Sequence, residues 1–216
     1  MISEILERIK SYNPAADLSL VESAFKFAEK VHSGHKRLSG DPYITHPVAV
    51  AKILTELEQD PQVVASALLH DTIEDGGISR EELATSFGEE IARLVEGVTK
   101  LGQLTFISKE ERQAENFRKM FLAMGEDIRI IIIKLADRLH NMQTIKFLPE
   151  GKQRETSLET LEIFAPLAHR LGMWRLKWEL EDLAFQVLEP ASFADIKGKV
   201  SEGRPLREAY IATFME

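Results

Sequence analysis

Residues 128–144 read IRIIIIKLADRLHNMQT, and the kind of fold open to this chain turns on that stretch. Ile130, Ile131, Ile132, Ile133 and Leu135 leave its first half no polar side, so a helix here is apolar all round and must be buried by other elements. Yet it carries Asp137 on the face shared with Ile130 and Ile133. Asn141 follows one turn later at i+4 and Thr144 comes next, so three polar side chains line one direction. A buried carboxylate is ordinarily paired or metal-bound. Lys134 or Arg138 would supply a structural ion pair, and a cation shared with other residues would serve as well.

Helical periodicity continues on both sides, and strict alternation nowhere runs long enough for a sheet. The pattern predicts helices near 2–11, 18–33, 47–58, 61–71, 79–86, 88–100, 110–124, 127–145, 153–170, 173–188, 191–200 and 205–215. Pro47 and Pro61 stand at helix starts, while Gly76-Gly77, Gly151 and Gly172 lie between helices. The fold class expected is all-α, a bundle of about ten to twelve helices. With no low-complexity segment, repeat or obvious linker before about residue 189, the chain reads as one domain over 1–190 and a further helical segment over 191–216.

Composition narrows the chemistry. The 216 residues include no cysteine, which removes disulfides, thiolate metal sites and cysteine nucleophiles, so a bound metal would need His nitrogen or carboxylate oxygen. A formal net charge of −8 disfavours non-specific DNA binding, which depends on Lys and Arg meeting phosphates. The start MISEILERIKSYN lacks the features of a signal peptide, and IRIIIIKLA is far shorter than the roughly 20 apolar residues that span a bilayer. A cytoplasmic protein with neither DNA nor a membrane as partner is the expectation.

Two further stretches carry chemistry. His70-Asp71-Thr72-Ile73-Glu74-Asp75 follows the apolar run VVASALL, placing one imidazole and three carboxylates at the end of a helix that has to be buried. That cluster is costly unless a cation compensates it; a solvated acidic turn beside a satisfied core histidine is the alternative. His46 precedes a helix expected to begin at Pro47, a position that would aim the imidazole as a metal ligand requires, although a lone His there also serves as a cap or surface residue. His32, His35, His140 and His169 are given no role. One His, then a His-Asp pair about 24 residues on, then a distant helical Asp offer two nitrogens and two carboxylates to one ion. The set suits Mn²⁺, Fe²⁺, Zn²⁺ or Co²⁺ without choosing among them.

The order H…HD…D resembles the HD superfamily of metal-dependent phosphohydrolases. Within it, HSGHKRLSGDPYITHPVAVAKIL, ALLHDTIED, FGEEIARLVEGVTKL, RQAENFRKM, IKLADRLHNMQT and ETLEIFAPLAHRLG are similar, in order, to the hydrolase domain of the RelA/SpoT homologues, over about residues 17–190. The resemblance implies an all-helical HD domain that binds one Mn²⁺ and removes the 3′-pyrophosphate from ppGpp or pppGpp, giving GDP or GTP. By the same resemblance His46, His70, Asp71 and Asp137 are the metal ligands. Glu74 and Asp75 are the acidic pair that positions and deprotonates the attacking water. Arg37 and Ser39 contact the nucleotide from the early loop, and Asn141 and Thr144 line its ribose and base side.

The residues themselves agree with that chemistry. Glu74 lies one turn after His70, so its carboxylate can stand beside the site without being a ligand, as a general base must. His35, Lys36 and Arg37 cluster cationic groups where phosphates could be met despite the net charge. His35, Leu38 and Asp41 depart from the usual residues of the family, and none is among the expected ligands. Longer relatives continue into a synthetase domain, and the ending of this chain resembles the segment before it, so a synthetase domain in cis is the expected partner. Two alternatives stay open: an HD-type phosphohydrolase of another nucleotide, and a non-catalytic module that binds the alarmone.

Overall fold

The computed structural model describes residues 1–102, 125 and 127–202, and regular structure among them is helical apart from one isolated antiparallel bridge, Lys36 to Pro42. The helices are α1 (Ile2–Tyr12), α2 (Ser19–Val31), α3 (Thr45–Glu56), α4 (Pro61–Leu69), α5 (Arg80–Phe87), α6 (Glu89–Gly102) and α7 (Ile128–Gln143), followed by a 3₁₀ turn at Ile145–Phe147. After these come α8 (Glu150–Glu159), a π-helical turn (Thr160–Phe164), α9 (Ala165–Arg170), α10 (Trp174–Leu188) and α11 (Pro190–Glu202). The all-α class expected from the periodicity is what the structure has. The helices expected over 110–124 and 205–215 lie outside the described residues.

The chain divides into two compact units, Met1–Leu148 and the residues from Pro149 on. In the first, α4 is the central rod. Asp60 starts it by accepting from the amides of Gln62 and Val63, with Pro61 in the first turn where a missing N–H costs nothing. Every residue from Val63 to Leu69 is buried, and α2, α3, α6 and α7 pack around it. Burying a rod this apolar removes its side chains from water and accounts for the placing of its neighbours. Asp127 caps α7 through the amide of Arg129, and its carboxylate also meets the guanidinium groups of Arg129 and Arg93. Those partners hold the Asp127 carboxyl below its usual range.

Among the boundaries that differ from the sequence expectation, three have a local reason. Helix α3 begins at Thr45 rather than Pro47, which brings His46 into its first turn; proline is tolerated there because first-turn amides have no intrahelical acceptor. Helix α4 ends at Leu69 rather than 71. There His70 Nδ1 donates to the carbonyl of Ala67 at 2.7 Å, and the carbonyl of Leu69 accepts from both the amide and Oγ1 of Thr72, at 3.0 and 2.6 Å, so side chains share in closing the last turn. In the second unit the helix expected over 153–170 is interrupted by the turn at Thr160–Phe164. Pro166 has no N–H for the Glu162 carbonyl, and the widened turn lies just before it.

Candidate metal centre

Three segments far apart in sequence deliver the site. His46 comes from the first turn of α3, His70 and Asp71 from the end of α4, and Asp137 from the middle of α7. One ligand atom each from His46, His70 and Asp137 lies within 4.8 Å of the others, and all three residues are buried. His46 Nε2 is 3.1 Å from Asp137 Oδ1 and 3.6 Å from Asp71 Oδ2, while His70 Nε2 is 3.1 Å from Asp71 Oδ1 and 3.8 Å from Asp137 Oδ1.

The hydrogen bonds set the direction of these groups. His70 gives its Nδ1 to a carbonyl, which only accepts, so the proton is on Nδ1 and the Nε2 lone pair is left facing the carboxylates. That buried Nε2 makes no hydrogen bond. A lone pair turned toward two carboxylates at these distances is repulsive unless a proton or a metal cation lies among them. The donor set of two imidazoles and two carboxylates fits a divalent transition metal. Burial works to lower the His70 pKa, but Asp71 and Asp137 outweigh it and hold the group up at about 9. Asp137 moves the other way: burial would raise it, while Lys134, His46 and His70 together keep it well below the usual carboxylate range.

Around this centre the expected residues fall into two groups. Asn141 Nδ2 donates to Asp137 Oδ1 at 2.6 Å, and Arg37 Nη2 reaches Asn141 Oδ1 at 3.0 Å, so the early loop meets α7 across 104 residues of chain. The loop is held by the Lys36–Pro42 bridge and by Arg37 N to Asp41 O at 2.9 Å, with Gly40 at φ +89° turning its tip. Asp75 accepts from Tyr43 Oη, which lies 2.5 Å from it and 2.9 Å from Asp71, one phenolic proton between two carboxylates. Glu74 is exposed, and its pKa is raised by desolvation, with Lys134 opposing and Asp75, Asp71 and Asp137 adding to the rise. Ser39 and Thr144 are differently engaged. Ser39 Oγ donates to Asp41 at 2.8 Å, and Thr144 Oγ1 turns back on the helix end, 3.0 Å from the His140 carbonyl.

The Lys134–Asp137 ion pair weighed as a structural alternative is present at 2.8 Å, on the carboxylate oxygen that does not face His46 and His70. Structural pairing and a metal-facing oxygen therefore coexist in one side chain. Three residues that the sequence reading gave no role also line the centre. Tyr43 joins Asp71 to Asp75, His140 Nδ1 lies 2.7 Å from His46 Nδ1, and the buried His32 ring stacks on Tyr43 at 4.6 Å. Tyr43 stands three residues before His46, and His140 three after Asp137 on one helix, spacings that by themselves single out neither residue.

The sequence profile of the HD domain family matches residues 24–174, which take in every residue of this centre. The chain belongs to the HD domain family. As an HD domain it is 55% identical over 197 residues to a probable guanosine-3′,5′-bis(diphosphate) 3′-pyrophosphohydrolase of Synechocystis, covering 91% of this chain and 26% of that protein. It is 50% identical over 215 residues to a probable GTP pyrophosphokinase of Mycobacterium leprae, covering 98% of this chain and 27% of that one. These names accord with the RelA/SpoT resemblance, and this HD domain spans about a quarter of the length of those relatives. A solved structure titled as a metazoan ortholog of SpoT that hydrolyzes ppGpp superposes with a TM-score of 0.58 at 24% identity, covering 78% of this chain and 94% of that one. At that identity the likeness shows the HD fold.

Proposed function

We propose that this HD domain removes the 3′-pyrophosphate from ppGpp or pppGpp, using Mn²⁺ held by His46, His70, Asp71 and Asp137. The reading is carried by the convergence of His46, His70 and Asp137, with the Asp71 carboxylate beside both imidazoles and the His70 Nε2 lone pair aimed into the group. When bound, such an ion lowers the pKa of water and offsets negative charge on the phosphoryl group. Glu74 takes the proton of the attacking water, and the desolvation that raises its pKa makes it a stronger base. Asp75, tied to Tyr43, holds that water's position. Arg37 binds phosphate oxygens of the nucleotide, braced by Asn141, whose own amide steadies Asp137. Ser39 and Thr144 contact the nucleotide at the loop and at the end of α7.

The hydrolase domain in this reading runs over 1–190, and 191–216 lead toward a synthetase domain in cis, in keeping with relatives about four times as long. Among the described residues no helix is long and apolar enough to cross a membrane, and the proposed compartment is the cytoplasm.

Pyrophosphate release from ppGpp after metal stripping and Mn²⁺ return is the test, with Asp71→Ala and Glu74→Ala alongside. Turnover that needs Mn²⁺ and is lost in both variants is expected. Tight ppGpp binding without turnover points to a binding module. Turnover of other nucleotides but not ppGpp points to a different substrate.

A further inference from the structure

The two imidazoles of the centre have their Nδ1 atoms anchored in different ways. His70 Nδ1 faces a backbone carbonyl, so its tautomer is fixed by an atom that can only accept. His46 Nδ1 faces another imidazole nitrogen, His140 Nδ1, at 2.7 Å, with the ring centroids 4.9 Å apart. A hydrogen bond at this distance needs one proton between the nitrogens, and two arrangements follow. If His140 donates, a neutral His46 carries its proton on Nε2, directed at Asp137 Oδ1 3.1 Å away, where a cation would otherwise be shared. If His140 accepts, the His46 proton is on Nδ1 and the Nε2 lone pair joins that of His70.

We propose that His140 is the positioning residue of the metal centre: its Nδ1 accepts the His46 Nδ1–H and so holds His46 in the tautomer that ligates through Nε2. This rests on the metal-site reading above. Helix α7 then supplies the centre twice from one face, with Asp137 as a ligand and, three residues on, the acceptor that sets the tautomer of a ligand from α3. His140 itself touches neither metal nor substrate in this role. An imidazole accepting through Nδ1 keeps its own proton on Nε2, so both rings are neutral and no charge is added beside the bound cation.

The test compares metal binding and not turnover. His140→Leu removes the acceptor at similar size, and His140→Asn restores an oxygen near the position of Nδ1. Binding of Mn²⁺ alone is followed by the spectroscopic signal of the free ion, with thermal unfolding of the metal-free chains as the control for a merely structural role. The Leu variant is expected to bind Mn²⁺ roughly 10–100-fold more weakly, with metal-free unfolding little changed, and the Asn variant to regain most of the affinity. In the unsubstituted chain loaded with Zn²⁺ alone, ¹⁵N-histidine spectra should show the proton on His46 Nδ1 and a scalar coupling across to His140 Nδ1. That measurement decides the matter if His140→Leu does not fold. Full Mn²⁺ affinity in His140→Leu, no recovery in His140→Asn, or a proton on His140 Nδ1 in the loaded chain would overturn the role of His140 alone. An unsubstituted chain that takes up neither ion would overturn the metal-site reading as well.

Discussion

Glu74 and His70 stand one turn apart and differ in what burial does to them. His70 is buried, and Asp71 and Asp137 hold its pKa up at about 9, so a metal entering at neutral pH must displace a proton. Mn²⁺ affinity is therefore expected to rise about tenfold per pH unit below 9 for one proton released. Calorimetry at pH 7 in buffers of different ionisation enthalpy reads that release, and a binding heat independent of buffer would contradict it. Glu74 must be deprotonated to act as base, and its pKa lies above the usual 4.5. The acid limb of kcat is thus expected above that value, with activity falling as pH drops through it. Glu74→Gln should lower kcat by about 10²–10⁴ and abolish the limb, while leaving Mn²⁺ affinity close to unchanged. The segments supplying these residues were legible in the sequence because an HD pair after VVASALL and an Asp in an all-apolar helix contradict their surroundings. Tyr43 and His140 were not, because an aromatic or a histidine near a helix breaks no local rule, and only the folded chain brings them to Asp71, Asp75 and His46.

At the scale of elements, the turn after α4 positions Glu74 and Asp75, and Gly76 sets how closely that turn lies against α2. A Cβ on Gly76 would stand 2.3 Å from Val31 Cγ1 and 2.6 Å from the Thr72 carbonyl oxygen. The second neighbour is backbone and cannot step aside, so the turn itself has to move. Gly76→Ala is expected to cost about 1–3 kcal/mol and to reduce kcat more than Mn²⁺ affinity, because the displaced residues are the acidic pair and not His46 or Asp137. Denaturant titration with steady-state kinetics checks both parts; an unaltered kcat would mean that the turn tolerates the shift. Most helices were readable from 3.6-residue periodicity, including the two rods that bury the site. Their ends were less so. Periodicity is blind to which donors take the last carbonyls, and at the end of α4 the His70 and Thr72 side chains share them with the Thr72 amide. The turn at Thr160–Phe164 escaped for a similar reason, since the apolar spacing runs on through it.

For the whole molecule, the centre ties α3, α4 and α7 together, so an ion bound only by the folded chain must stabilise it. At a free Mn²⁺ concentration about 100 times Kd, the gain is expected to be about 2.7 kcal/mol, and chelation should remove it. Thermal unfolding with and without chelator reads this, and identical curves would count against a site shared by three helices. The same tying-together has a consequence in time. His46 meets His140 across 94 residues and Arg37 meets Asn141 across 104, so nothing local can assemble the centre. His46 and His70 are therefore made long before the helix that carries Asp137, and the three can converge only once α7 has packed against α3 and α4.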